Sequence, residues 1–119
     1  MNYELLAELC RVPGAPGRED SISDVVRREL GPLTDTLQTD PLGSIVGTRS
    51  GDGPRVLICA HMDEISFMVR HIDDNGFLRV IPLGGFDPKT LTSQRVIVHG
   101  REDLLGVFGS KGVHLMTPE

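Results

Sequence analysis

Tryptophan is absent from this 119-residue chain, and aromatic residues make up only 4% of it. Together with 14 glycines and 8 prolines, this scarcity predicts a fold rich in turns. No apolar run approaches the roughly 20 residues that span a bilayer, and no basic start leads into an apolar segment at the N-terminus. We therefore expect a soluble, cytoplasmic protein with no membrane partner.

Basic residues are fewer than acidic ones. The chain has 12 Lys and Arg against 17 Asp and Glu, which gives a net charge of -5. Nucleic-acid phosphates and anionic lipids attract clusters of basic side chains. The acidic balance argues against both kinds of partner.

Only two cysteines are present, Cys10 and Cys59, and neither belongs to a C-x-x-C pair. Cysteine is among the residue types most often buried. We expect two buried free thiols rather than a disulfide framework.

The chain is long enough for one ordinary domain, and its 39% apolar and 24% charged residues are typical of a globular protein. An apolar stripe predicts a first helix, with Asn2 as N-cap and an end at Val12-Pro13-Gly14. A second stripe predicts a helix from Arg18 to Leu30, ended by Gly31-Pro32. Short extended segments then follow at residues 35–39, 44–48 and 55–60, which predict a hairpin beside a buried third strand.

The second half of the sequence has only strand patterns. Residues 65–72 and 77–82 flank Asp73-Asp74-Asn75-Gly76, which favours a hairpin because Asn-Gly tolerates the positive φ of tight turns. Two further strands are predicted at residues 94–99 and 104–108. Helices followed by strands indicate a boundary near Ile65.

The strongest chemical feature is His61-Met62-Asp63-Glu64, at the end of the apolar run that begins at Val56. Residues i and i+2 of an extended chain face the same side, so the Asp63 carboxylate could orient the His61 imidazole while its other nitrogen binds a metal. A hydrogen-bonded strand end is the commoner use of such a pair. For Glu64, a solvated or backbone-bonded carboxylate and a site role remain open. The remaining histidines are interpreted as surface or hydrogen-bonded side chains: His71, His99 and His114.

Several stretches resemble the tetrahedral aminopeptidases, a metallopeptidase family that includes glutamyl aminopeptidases and members once labelled cellulases. Their order and spacing make the resemblance specific. The stretches are Gly14-Ala15-Pro16-Gly17-Arg18-Glu19, Asp40-Pro41-Leu42-Gly43-Ser44, Ala60-His61-Met62-Asp63-Glu64-Ile65, Pro82-Leu83-Gly84-Gly85-Phe86-Asp87, Gln94-Arg95-Val96, and Gly106-Val107-Phe108-Gly109-Ser110-Lys111 with His114.

The resemblance implies an α/β fold with two parts. Residues 1–65 would be the N-terminal portion of the catalytic α/β domain, and residues 66–119 part of an inserted β-barrel-like dimerisation domain. It also implies a homo-oligomer that forms through the β-rich part.

In that family two divalent ions, commonly zinc or cobalt, activate a water that attacks the N-terminal peptide bond of a peptide substrate. By position, His61 would be a metal ligand and Asp63 its orienting partner in catalysis. The other ligands and the general-base glutamate lie beyond the insertion in the family. Because zinc needs about four ligands, the resemblance implies that this chain alone is an incomplete, inactive part of the enzyme.

The end of the sequence, Thr117-Pro118-Glu119, has a helix-start signature, which predicts a truncated product. Two alternatives from other classes remain. One is a non-catalytic module that self-associates through its β-rich half, and the other is a small metal-binding protein that uses His61 and Asp63.

Overall fold

A computed structural model describes residues 2–110 of the chain. Within that range, two α-helices precede three separate antiparallel hairpins, and the chain divides into two compact units between Gly84 and Gly85. The mixed helix and strand content predicted from the sequence is confirmed. The elements are α1 (Tyr3–Leu9), α2 (Asp20–Leu30), β1 (Thr36–Thr39), β2 (Ile45–Thr48), β3 (Ser66–Ile72), β4 (Leu78–Leu83), β5 (Arg95–His99) and β6 (Asp103–Val107), with short 3-10 helices at Gly31–Leu33 and Pro88–Thr90.

Both predicted helices are confirmed. The Asn2 side chain caps α1 by accepting a hydrogen bond from the Leu5 N–H at 3.1 Å. Helix α2 buries Ile22 and Val25, which are the buried apolar residues of the described chain, and Ser23 lies between them on the same inner face. The core therefore sits on α2.

Helix α2 begins two residues later than the predicted start at Arg18. The Arg18 N–H donates to the Ala15 carbonyl at 2.8 Å and closes a tight turn, in which Gly17 has a φ of 80°. That left-handed conformation suits glycine and cannot continue into a helix. The Gly17 N–H donates to the Glu19 carboxylate at 2.7 Å, which fixes the turn directly before α2.

An ion pair joins the two helices. Arg28 donates two hydrogen bonds to the Glu8 carboxylate, at 2.8 and 2.6 Å. The Arg28 hydrogen bonds lower the pKa of Glu8 from its ordinary value. Because both side chains are exposed, we expect water and salt to screen most of this interaction.

Two of the three hairpins were predicted as such, and the third joins β5 and β6, which were predicted as strands without a stated partner. Strands β1 and β2 pair through Thr36↔Thr48, and β3 pairs with β4 around the Asp73–Gly76 turn. Gly76 has a φ of 82°, as the Asn-Gly turn prediction requires.

The predicted buried strand at residues 55–60 is wrong. These residues are exposed and form no strand, and the side chains of Val56, Leu57 and Ile58 are 79%, 82% and 91% exposed. A strand needs a neighbour to bond its backbone groups, and each described strand pairs only within its own hairpin. The apolar sequence alone therefore does not make a strand here.

The predicted burial of the cysteines is also wrong. Cys10 and Cys59 are free thiols, as expected, but both are exposed. Cys59 lies in the segment that acquires no strand partner, and Cys10 caps the C-terminus of the short helix α1. Burial of a small apolar side chain depends on elements that pack over it, which a local pattern does not specify.

Some predictions concern residues that the structure does not describe, and the predicted domain boundary is not tested by the helices and strands above. The helix-start signature at residues 117–119 and the interpretation of His114 lie beyond the described range. The domain boundary near Ile65 concerns the domains of the family enzyme and stays a prediction. Over residues 2–110, no helix combines the length and the apolar character needed to cross a membrane.

Candidate functional site

The segment from His61 to Glu64 packs on the loop that precedes α2. The Glu64 N–H donates to the Gly14 carbonyl at 2.8 Å, and the Gly14 N–H donates to Glu64 Oε1 at 3.3 Å. Between these ends, the Ser23 hydroxyl of α2 donates to the Met62 sulfur at 3.7 Å. The loop and the helix therefore fix the segment from two directions.

Gly14 permits this close approach because it has no side chain. A Cβ at this position would lie 2.9 Å from Ile22 Cγ2 and 3.2 Å from the Met62 carbonyl oxygen. The first distance is shorter than carbon atoms tolerate without a shift of one of them. A glycine here lets the candidate site sit against the buried face of α2.

The His61 ring is bound through Nδ1 by two oxygens of Asp63. Nδ1 lies 3.1 Å from Asp63 Oδ1 and 2.9 Å from the Asp63 backbone carbonyl oxygen. A carbonyl oxygen can only accept, so a neutral His61 ring must carry its proton on Nδ1. Its lone pair is then on Nε2, and the His61 side chain is 85% exposed. The ring is thus presented in the form that binds metals through Nε2.

An open cavity of about 290 Å³ adjoins the ring. Its wall is mostly apolar and is built from both helices and the candidate segment, namely Leu9, Ile22, Val26, His61 and Met62. The candidate segment therefore borders an apolar surface formed with the two helices.

The described residues fit a metal ion only in part. His61 with Asp63 has the chemistry of one oriented ligand, but in residues 2–110 no three His, Cys, Asp or Glu side chains are grouped to hold an ion. A zinc site needs about four ligands, three or more from protein. No reaction step can be built on these residues alone.

The structure answers the open interpretation of Glu64 and bears on those of two histidines, His71 and His99. The backbone-bonded interpretation of Glu64 is confirmed by its bond from Gly14. His99 is a hydrogen-bonded strand histidine, as interpreted, with Nδ1 2.9 Å from Asp103 Oδ1. His71 is exposed on β3, in line with the surface interpretation.

Sequence reasoning missed two features of this site. The contact between Gly14 and Glu64 joins residues 50 positions apart, and no periodicity or motif encodes such a pairing. The second is the bond between the His61 ring and the Asp63 backbone carbonyl, which the i, i+2 pattern of side chains does not indicate. A backbone oxygen is a common partner of the second nitrogen of a metal-binding histidine.

Known proteins resemble this chain along nearly its whole length. A lysyl aminopeptidase of Pyrococcus furiosus is 37% identical over 117 residues, 97% of this chain and 34% of the relative. An aminopeptidase structure from the archaeon Desulfurococcus kamchatkensis matches with a TM-score of 0.87 and 41% identity, covering 98% of this chain and 33% of that one. A third match has a TM-score of 0.80 and 32% identity, covering 95% of this chain and 34% of the other. It is the TET1 peptidase of Pyrococcus horikoshii, described as able to assemble into a tetrahedron or a large octahedral shell.

The names of these relatives describe aminopeptidases or peptidases. The profile of the M42 glutamyl aminopeptidases matches residues 43–119, more than half of the sequence, and the chain belongs to this family. The resemblance identified from the sequence motifs is thereby confirmed. The chain spans about a third of the length of the curated relatives it matches.

Proposed function

We propose that this chain supplies the N-terminal part of a dinuclear metal-dependent aminopeptidase that removes N-terminal residues from peptides. The observation that carries the proposal is the His61 ring, which is oriented through Nδ1 by Asp63 within a chain of the M42 family. Peptide substrates and two divalent ions, zinc or cobalt, are part of the proposal.

Within that function, His61 Nε2 is one metal ligand and Asp63 is the residue that orients it. Asp63 accepts a hydrogen bond from Nδ1–H, which keeps the ring in one tautomer and strengthens Nε2 as a metal ligand. The ions would supply the Lewis acidity that activates a water for attack on the peptide bond. We assign no other described residue to the metals.

We further propose that the chain by itself does not hydrolyse peptides. A single imidazole with an orienting carboxylate leaves an ion with too few protein ligands for a stable site. Hydrolysis of an aminoacyl anilide by the chain, lost in His61→Ala, would contradict this part of the proposal.

The β-rich part, residues 66–119, is proposed as a portion of an inserted domain through which copies of the protein associate. Its hairpins expose large apolar side chains, among them Met68, Phe77 and Leu105 at 51%, 66% and 71%. Exposed apolar surface of this kind often marks an interface. The large assemblies described for the TET1 peptidase support self-association in general.

The metal role is tested by zinc titration of the metal-free chain, followed through the histidine ring resonances. We expect His61 to bind zinc more tightly than the other rings, and we expect His61→Ala to remove that tighter phase. His99→Ala is the matched control, because His99 is also exposed and bound at Nδ1 by an aspartate. Equal zinc binding by the parent and His61→Ala would refute the metal role.

The same samples separate the enzyme proposal from its alternatives. A non-catalytic self-association module would oligomerise but show no preference of zinc for His61. A strictly monomeric mass by light scattering at high concentration would argue against association through the hairpins. Zinc binding at His61 with no relation to hydrolysis in any longer form would favour the simple metal-binding protein.

A further inference from the structure

We propose that Glu64 is a positioning residue for His61, acting through the peptide bond between Asp63 and Glu64. The inference rests on the proposed metal role of His61 and adds a residue to it. The N–H and the C=O of this one peptide group both lie at hydrogen-bonding distance from a partner.

The N–H of that peptide group belongs to Glu64 and donates to the Gly14 carbonyl at 2.8 Å. The C=O of the same group belongs to Asp63 and lies 2.9 Å from His61 Nδ1. Because a peptide group is planar and rigid, its rotation moves both atoms together. The contact with Gly14 therefore sets the direction in which the Asp63 carbonyl points at the ring.

The Glu64 side chain adds a second bond to the same partner. Its Oε1 accepts from the Gly14 N–H at 3.3 Å, so Glu64 bonds both backbone groups of Gly14. Any residue except proline could supply the first bond from its own N–H. The second needs a side chain with an acceptor at the reach of Glu or Gln.

The orientation of this peptide group influences which ring nitrogen of His61 carries the proton. A free neutral imidazole of histidine favours the proton on Nε2, which would block that nitrogen as a ligand. The Asp63 carbonyl can only accept, so the correct orientation of the peptide group favours the proton on Nδ1. Loss of the Glu64 side-chain bond should weaken this preference even where the fold survives.

The neighbouring loop offers a matched carboxylate. Glu19 also accepts from a glycine N–H of the same loop, that of Gly17 at 2.7 Å, but this bond does not involve the 61–64 segment. Shortening Glu19 should therefore perturb the loop without reaching the His61 ring.

The test uses the metal-free 119-residue chain and its variants Glu64→Asp, Glu64→Gln and Glu19→Asp. The His61 tautomer is read from the ring nitrogen shifts in mildly alkaline buffer, at a pH where these shifts no longer change with pH. The His99 ring is an internal reference in each spectrum. Zinc affinity at His61 is then measured on the same samples.

We expect Glu64→Asp, which keeps the charge and loses the reach, to shift His61 towards the Nε2-protonated tautomer and to weaken zinc binding about tenfold. Glu64→Gln and Glu19→Asp should both resemble the parent, and His99 should not change. A parent-like His61 tautomer in folded Glu64→Asp would overturn the proposal. A shifted tautomer in folded Glu64→Gln would also overturn it, because the reach of the acceptor would then not be what matters.

The tautomer is measured without metal or substrate, so the two proposals can fail separately. A tautomer shift in a chain whose His61 shows no preference for zinc would retain the positioning role and refute the metal role. An unchanged tautomer, in a chain that loses zinc binding in His61→Ala, would do the reverse.

Discussion

Among residues 2–110, two histidine–aspartate pairs have nearly the same contact, and they are supported in different ways. His61 Nδ1 lies 3.1 Å from Asp63 Oδ1 in a loop, and His99 Nδ1 lies 2.9 Å from Asp103 Oδ1 across the β5–β6 hairpin. His99 and Asp103 are direct partners in the strand register. Strand pairing alone brings the second pair together.

The loop pair depends instead on tertiary contacts. Its geometry is set by Gly14, 50 positions before Glu64, and by the buried face of α2 next to it. The same kind of side-chain pair can therefore be held by strand pairing within one hairpin or by contacts with residues far away in the sequence. Only the loop pair has a second oxygen, the Asp63 carbonyl, that helps to choose the tautomer.

Gly14→Ala should separate the two pairs most strongly. The added Cβ would meet Ile22 Cγ2 at 2.9 Å and the Met62 carbonyl oxygen at 3.2 Å, and such overpacking costs about 2–3 kcal/mol of unfolding free energy. We expect the His61 ring resonances to change and those of His99 to stay. Urea unfolding and ring spectra measure the two effects.

Gly51→Ala is the control for this substitution. A Cβ at Gly51 has open space around it, so only the small general effect of replacing glycine should appear. Equal losses of stability in the two variants would mean that the close approach at Gly14 is not structurally important.

Asp63→Ala and Asp103→Ala compare the pairs directly. Loss of a carboxylate that orients a metal-binding histidine typically weakens metal affinity by about 10- to 100-fold. We expect about a thirtyfold loss of zinc affinity at His61 in Asp63→Ala, about 2 kcal/mol. Asp103→Ala should leave His61 unaffected, as measured by zinc titration of the ring resonances. An equal loss in both variants would remove the distinction between the pairs.

The smallest expected effect concerns the acid stability of a hairpin. At the β3–β4 turn, the hydrogen bond from the Phe77 N–H holds the pKa of Asp73 below its ordinary value. A hydrogen bond from the Arg79 side chain has a smaller effect in the same direction. A carboxyl whose pKa is lower in the folded state stabilises that state above the unfolded pKa, and the effect is lost as the pH falls through the folded value. The turn should therefore loosen as the pH falls below about 4.

Asp73→Asn removes the group that titrates. The turn should then change less as the pH falls than it does in the parent chain. The Phe77 amide shift, followed against pH, is the readout. Asp74→Asn changes the adjacent carboxylate, which lies outside this set of hydrogen bonds, and should keep the parent's slope. A parent-like slope in Asp73→Asn would mean that another group controls the turn.

The local features of this fold were readable from the sequence. The stripe on α2, the Asn2 cap and the Asn75-Gly76 turn each depend on residues close together in the chain, and all appear as predicted. The His61–Asp63 contact belongs to the same class, since i and i+2 positions are near each other in any extended segment.

The remaining features depend on residues far apart in sequence. Residues 55–60 have a strand composition but no strand partner among residues 2–110, so their prediction as a buried strand failed. For Glu64, the sequence left a backbone-bonded carboxylate open as one interpretation but could not name its partner, because nothing near it in sequence indicates Gly14. The start of α2 was misplaced because the conformation of Gly17 was not anticipated.

The exposed Cys59 gives the apolar run beside the candidate site a built-in chemical reporter. It follows Val56, Leu57 and Ile58 directly, and its thiol is open to solvent in this chain. A thiol reagent would therefore modify Cys59 quickly when the run is bare and slowly when another segment or subunit lies over it. The rate of labelling at Cys59, relative to that at Cys10, therefore measures whether residues 56–60 are covered.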